Sequence, residues 1–214
     1  MIIPLHKRLR KRMHIDIALL QDEALEIIYS IDPDIVLHGG TAVWRCYGGN
    51  RFSEDLDFYC KDIRKIEKEL AQRIKERGLS LVKFKKTANL VFCKVSNGNA
   101  EIRLEINFSA AKPAVVRQYE KTDGTFMSIL TLAEEDLLLE KMQAYRDRRF
   151  VRDIYDVYHL CAQIRDDKKI RPAMALFFEN ATGPVDEKNL KAIVYSGAIP
   201  TFKQMIEALK RRFA

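Results

Sequence analysis

The chain has 214 residues, enough for one generous domain or two small packed ones, and its 47% hydrophobic content excludes a disordered polymer. No apolar run approaches the roughly 20 residues that span a bilayer, and the opening MIIPLHKRLRKRMHIDIALL puts apolar residues before basic ones, the reverse of a secretory signal, so a cytoplasmic protein is expected. The formal net charge of +7 suits a polyanionic partner such as RNA or a nucleotide phosphate, although the basic clusters Lys7–Arg12 and Lys210–Arg212 also read as solvated helix faces.

Residues 13–30 carry Ile17, Leu20, Ala24, Ile27 and Ile28 at helical spacing, and Asp32-Pro33-Asp34 ends that helix. Ile35–Leu37 reads as a short buried strand running into Gly39-Gly40. Thr41–Tyr47 reads as a brief helix broken by Gly48-Gly49-Asn50, with Trp44 and Tyr47 in the core. Leu56–Tyr59 is the next strand, and a charged amphipathic helix over 61–77 stops at Gly78. Strands follow at Leu79–Lys85, Leu90–Val95 and Ala100–Phe108, the last two joined by the hairpin turn Ser96-Asn97-Gly98-Asn99. In the third, Ile102, Leu104 and Ile106 share one face and Glu101, Arg103, Glu105 and Asn107 the other.

After a mixed stretch comes a short strand at Phe126–Leu132. Helices are expected near 133–148, 151–165, 169–180, 187–195 and 200–213. The division is a mixed α/β part, 1–132, and a helical part, 133–214. Cys46, Cys60, Cys93 and Cys161 form no C-x-x-C pair and have no histidine at ligand spacing, so they read as reduced core thiols.

The chemistry concentrates in HGGTAVWRCYGGNRFSEDLDFYC, residues 38–60. Gly39-Gly40 at a strand-to-helix junction exposes backbone N–H groups at a helix start, where a phosphate can sit, and Thr41 adds a hydroxyl. A tight turn with no ligand is the alternative. Asp55 and Asp57, two apart, point to one face of a strand. Two carboxylates beside a phosphate cradle suit Mg²⁺, which takes oxygen ligands and bridges to substrate phosphates. Glu105 is the best third carboxylate if its strand neighbours Leu56–Tyr59; a cross-strand pair with Arg103 or a lysine is the competing reading. Arg51 and Ser53 support either the metal loop and nucleotide or simply a turn. His38 is a packed strand-end residue or a ligand contact.

Gly39-Gly40-Thr41-Ala42, followed by Arg51-Phe52-Ser53-Glu54-Asp55-Leu56-Asp57-Phe58, resembles the signature of the AbiEii/AbiGii-type nucleotidyltransferases, within the DNA polymerase β-like superfamily. A later stretch, with Lys141, Ala144, Arg148, Arg152-Asp153 and Asp156, is similar to the family's second block. The resemblance implies an α+β fold, a mixed-sheet polymerase β-like core followed by a helical C-terminal region. It implies transfer of a nucleoside monophosphate from an NTP with release of pyrophosphate, to the 3′ end of tRNA in toxin members, which are paired with an antitoxin. By that analogy Asp55 and Asp57 hold Mg²⁺, beside the Glu105 read from its strand; Gly39, Gly40 and Thr41 hold the triphosphate; Lys141 contacts phosphate; and Asp153 is a further acid of the site.

By spacing alone, Lys141 shares a helix face with Ala144 and Arg148 and reads as solvated, with Glu135, Glu140 and Asp147 as partners. Asp153 and Asp156 read as partners of Arg149 or Arg152. A small-molecule or protein acceptor, or a non-enzymatic RNA-binding module, remain the other functional readings.

Overall fold

The computed structural model describes residues 3–108 and 113–213. Contacts divide the chain into two units, Met1–Cys46 with Phe52–Leu132, and Tyr47–Arg51 with Ala133–Ala214.

In the first unit a short helix, α1 (Leu5–Arg8), precedes α2 (Arg12–Ile31). The apolar stripe expected along α2 is buried, and Asp32 closes the helix by accepting a hydrogen bond from the Asp34 N–H at 3.2 Å. Strand β1 (Val36–His38) feeds directly into α3 (Gly39–Cys46), and β2 (Leu56–Tyr59) follows. Helix α4 (Ile63–Glu76) is capped by the Asp62 side chain, buries Ile66, Leu70 and Ile74 at every fourth position, and stops at Gly78 with φ +71°.

Strands β3 (Ser80–Lys86), β4 (Leu90–Ser96), β5 (Glu101–Asn107), β6 (Ala114–Glu120) and β7 (Phe126–Leu132) complete the unit. The β4–β5 turn uses Asn97 Oδ1 to accept from the N–H groups of Asn99 and Ala100, with Gly98 at φ +88°. Part of the mixed stretch after Phe108 lies outside the described residues; from Ala114 it is the edge strand β6.

Among the described residues the seven strands form one mixed sheet, ordered β3-β4-β5-β2-β1-β7-β6. Pairs β2·β5 and β1·β7 are parallel and the others antiparallel. Strands β4, β5 and β2 alternate strictly. Val91, Cys93, Val95, Ile102, Leu104, Ile106, Leu56 and Phe58 are buried, and the residues between them are exposed or half-buried. Helix α2 packs on β5 and α4 on β3, which gives the buried face its cover. Asp57 and Glu105 therefore stand on the other face.

The second unit contains α5 (Glu134–Arg148), α6 (Val151–Cys161), α7 (Arg171–Asn180), a 3-10 turn (Glu187–Asn189), α8 (Leu190–Ile193) and α9 (Phe202–Phe213). The helix expected at 187–195 is thus a 3-10 turn and one α-turn, and the helix expected at 151–165 ends at Cys161. Arg149, left-handed at φ 54°, caps α5 and turns the chain into α6. Residues 47–51 join this unit: the Tyr47 carbonyl accepts from Gln163 at 2.6 Å, and Arg51 bridges to Val194.

No described helix is long and apolar enough to cross a membrane. The four cysteines carry free thiols; Cys60, Cys93 and Cys161 are buried, and burial pushes Cys46, Cys93 and Cys161 up to about 12. Trp44 and Tyr47 are buried, as expected of core residues.

Candidate active site

Two helices hold the RFSED loop before the acidic strand begins. Phe52 is 2% exposed, stacked on the His14 ring at 3.8 Å and edge-on to Trp44 at 5.1 Å. Gln21 Nε2 donates to the Ser53 carbonyl at 2.9 Å, and the buried Thr41 hydroxyl donates to the Asp55 carbonyl at 2.5 Å. Thr41 therefore ties the start of α3 to the backbone of the acidic strand. His14 and Gln21, which the sequence reading passed over, act through the same loop. Burial, then the nearby Lys11, pushes the His14 imidazole below its ordinary value.

Strand pairing then sets the carboxylates side by side. His38 of β1 lies opposite Asp57 of β2, and Asp57 lies opposite Glu105 of β5. Directly paired positions project to the same face, so Asp57 and Glu105 are immediate neighbours there. Both are half-buried. Burial, followed by repulsion from Asp57 and Asp55, pushes the Glu105 carboxyl above its ordinary value, a sign of negative charge gathered in one place. The His38 ring stacks on Tyr59 at 3.9 Å, the packed strand-end role.

Asp55 precedes β2 by one residue. Arg103 of β5 grips it with two hydrogen bonds, at 2.7 and 2.8 Å, so the arginine pairs with Asp55 and not with Glu105. Among the described residues no three or more His, Cys, Asp and Glu side chains are drawn together as a metal centre.

Gly39 links this acidic face to the start of α3. Its φ is +72°, and a Cβ built there overlaps the Asp57 carboxylate. The first N–H groups of a helix have no intrahelical partner, and the Gly39 turn brings the start of α3 against that carboxylate. Gly39→Ala is expected to cost about 1–2 kcal/mol from its backbone conformation and, by displacing Asp57, to reduce transfer at least tenfold as an order of magnitude. Gly48, at φ +63° with nothing within 4 Å, is the control: Gly48→Ala carries the backbone cost alone. Thermal melts and transfer rates for both variants check this.

The helical unit holds its own charged cluster. Lys141, 6% exposed, has Nζ 2.9 Å from Asp156 and 3.7 Å from Asp153. Arg51 grips Asp156 with two hydrogen bonds of 2.5 Å, and Arg148 grips Asp153 at 2.7 and 2.8 Å. The sequence expected Arg149 or Arg152 as partners; the structure supplies Arg51, Lys141 and Arg148. Lys141 stands between two buried carboxylates rather than on a solvated face. The guanidinium of Arg51 faces Asp156. Burial alone would push the Asp156 carboxyl up; Arg51 and Lys141 outweigh it and hold it below its usual value.

A family model described as the nucleotidyl transferase AbiEii toxin of a type IV toxin–antitoxin system matches residues 26–214. The chain belongs to the AbiEii family. Its members are nucleotidyltransferases, and the family description carries with it a toxin role, an antitoxin and a nucleotide substrate. Among solved structures, MenT4, a nucleotidyltransferase toxin from Mycobacterium tuberculosis, superposes with TM-score 0.66 at 20% identity, covering 96% of this chain and 85% of that one. JHP933 from Helicobacter pylori superposes with TM-score 0.59 at 20% identity, covering 92% and 91%. At that identity the likeness is one of fold, the α+β arrangement expected of a nucleotidyltransferase core. No curated protein matches the sequence.

Proposed function

We propose that this AbiEii nucleotidyltransferase moves a nucleoside monophosphate from an NTP to an RNA 3′-hydroxyl, at the 3′ end of tRNA, and does so with Mg²⁺ in the cytoplasm. The observation that carries this reading is the abutment of the Gly39 turn on Asp57, with Glu105 in register beside it. Hard carboxylate oxygens gathered on one face, with Glu105 pushed up by its acidic neighbours, fit a hard divalent cation. Asp57, Glu105 and Asp55 would hold the metal, Asp55 exchanging its present pairing with Arg103. Bound there, Mg²⁺ supplies charge neutralisation for the phosphates.

The chain's own groups do the rest. Backbone N–H groups of Gly40 and Thr41 bind the triphosphate at the start of α3, and Gly39 leaves room for the approach. Ser53, whose carbonyl accepts from Gln21, stands in the pinned loop. The acceptor oxygen forms a bond to the α-phosphorus while the bond from that phosphorus to the β-phosphate oxygen breaks. Pyrophosphate leaves, and the hydroxyl proton passes to a carboxylate of the site. Lys141, Asp153 and Arg51 serve the reaction as parts of the charged cluster that orders the helical unit.

Incubation with each α-labelled NTP, Mg²⁺ and total tRNA tests the proposal. Label in tRNA, lost on EDTA treatment and lost again when the RNA 3′ end is oxidised, is the expected result. Label in protein or in a small soluble product would replace RNA with another acceptor, and no label from any of the four nucleotides would overturn the reading.

A further inference from the structure

The face that carries Asp57 and Glu105 continues across two more strands, β4 and β3. Opposite Glu105 on β4 stands Phe92, and opposite Phe92 on β3 stands Lys85. Two residues away, a second row runs from Arg103 on β5 to Lys94 on β4 and Lys83 on β3. All these side chains share one face, because directly paired positions do and because alternate positions on β4 and β5 are core. With strands about 4.8 Å apart, the rows extend roughly 15 Å from the carboxylates to the β3 edge.

The chemistry changes sign along the way. Arg103 is paired with Asp55, and Lys94 with Glu101 at 2.5 Å. At the β3 edge Lys83 and Lys85 stand among exposed residues, and Lys83 Nζ sits 5.3 Å from the centroid of the Phe92 ring. The result is an open strip with one aromatic platform, cations around it, and the carboxylate pair at its far end.

We infer that this strip, Lys83, Lys85, Phe92 and Lys94, is the track on which the single-stranded 3′ tail of the RNA acceptor lies. Single-stranded nucleic acid is held by aromatic faces that stack on bases and by cations that follow the backbone. A blunt duplex offers a base face only at its terminal pair, whereas successive bases of a single strand can each stack on Phe92. The polarity is set by continuity: the terminal hydroxyl lies at Glu105 and Asp57, and the preceding nucleotides cross β4 and β3. The inference rests on the proposed transfer to RNA.

Lysines on an edge strand also keep it from pairing with another sheet. On β3, Lys86 stands on the opposite face, bound to Glu67 at 2.6 Å, and is not part of the strip. Guarding predicts aggregation when lysines are removed. A track predicts weaker RNA binding from a protein whose oligomeric state is unchanged.

The test measures anisotropy of a dye-labelled single-stranded RNA, and of a blunt duplex of the same sequence, against wild type, Phe92→Ala and the double variant Lys83→Gln/Lys85→Gln. The expected result is preference for the single strand, an affinity loss of about tenfold for Phe92→Ala, and a log–log salt slope reduced by about 1.4 in the double variant. Melting temperatures and NTP binding, followed with a fluorescent analogue, stay at wild-type values. Unchanged RNA affinity and salt slope in both variants, or equal affinity for the blunt duplex, overturns the track. If wild type binds the single strand through these residues yet labels no RNA, the transfer reading falls and the binding surface stands.

Discussion

Asp57→Asn is expected to lower nucleotidyl transfer by about 10³-fold while the protein remains folded. The side chain is half-buried between His38 and Glu105, in register with both, and its carboxylate lies against Gly39. Asparagine has the same shape, so the Gly39 contact and the strand pairing survive. What disappears is one negative charge at the point where the acidic face meets the α3 turn. Because Asp57 is the first charged group that pushes Glu105 up, its neutralisation also eases repulsion in the free protein. The melting temperature in the absence of metal should therefore stay level or rise slightly. Paired transfer rates and thermal melts check both parts. Manganese titration gives a third readout, with weaker binding expected from the variant. A rate within about fivefold of wild type would remove Asp57 from the chemistry.

Much of this face is legible in the sequence because it is made by local patterns. The Leu56–Tyr59 strand falls on β2 residue for residue, and the alternation in 100–108 separates the core side of β5 from the polar side that bears Glu105. That the two strands are neighbours is set by the sheet order, which no local pattern records. Strand β6 is less visible, since an edge strand with Val116 62% exposed carries no clean apolar alternation. The pinning of the RFSED loop by His14, Gln21 and Thr41 joins residues up to 38 positions apart, through contacts that no spacing rule records.

Charged residues are the hardest to read in this way. Lys141 sits on a helix crowded with acids and reads as solvated, yet two carboxylates from α6 turn it inward. Whether a charge is buried depends on partners far along the chain; for Arg51 and Asp156 the separation is 105 residues. The same dependence explains why Arg103, drawn as a partner for Glu105, closes on Asp55. The loop places Asp55 at the end of the guanidinium fork, where two parallel hydrogen bonds can form.

Arg51→Ala carries the largest expected effect on stability, about 3–5 kcal/mol, because it strands the Asp156 carboxylate in the interior. For a chain of this length that corresponds to a fall of about 10 °C in melting temperature. Arg51 is 3% exposed and Asp156 1% exposed, so solvent cannot take the arginine's place. Lys141 remains beside Asp156, which sets the loss toward the lower end of the range. The double variant Arg51→Met/Asp156→Leu removes both charges and should recover part of the loss, since Lys141 keeps only Asp153, at 3.7 Å, as its partner.

The pH dependence follows from the direction of the Asp156 shift. Its folded-state value lies below the ordinary 3.8, so its stabilisation is complete above that value and is lost as pH falls through the lower, folded value. The gap between wild type and Arg51→Ala should therefore be widest near neutral pH and shrink below about pH 4. Urea unfolding at pH 7 and at pH 3 measures it. Equal unfolding midpoints at pH 7 would show that Arg51 does not hold the helical unit together. A loss of stability that the double variant restores, with transfer restored in step, would assign the charged cluster to folding. Stability restored without transfer would assign Arg51 or Asp156 a part in the reaction itself.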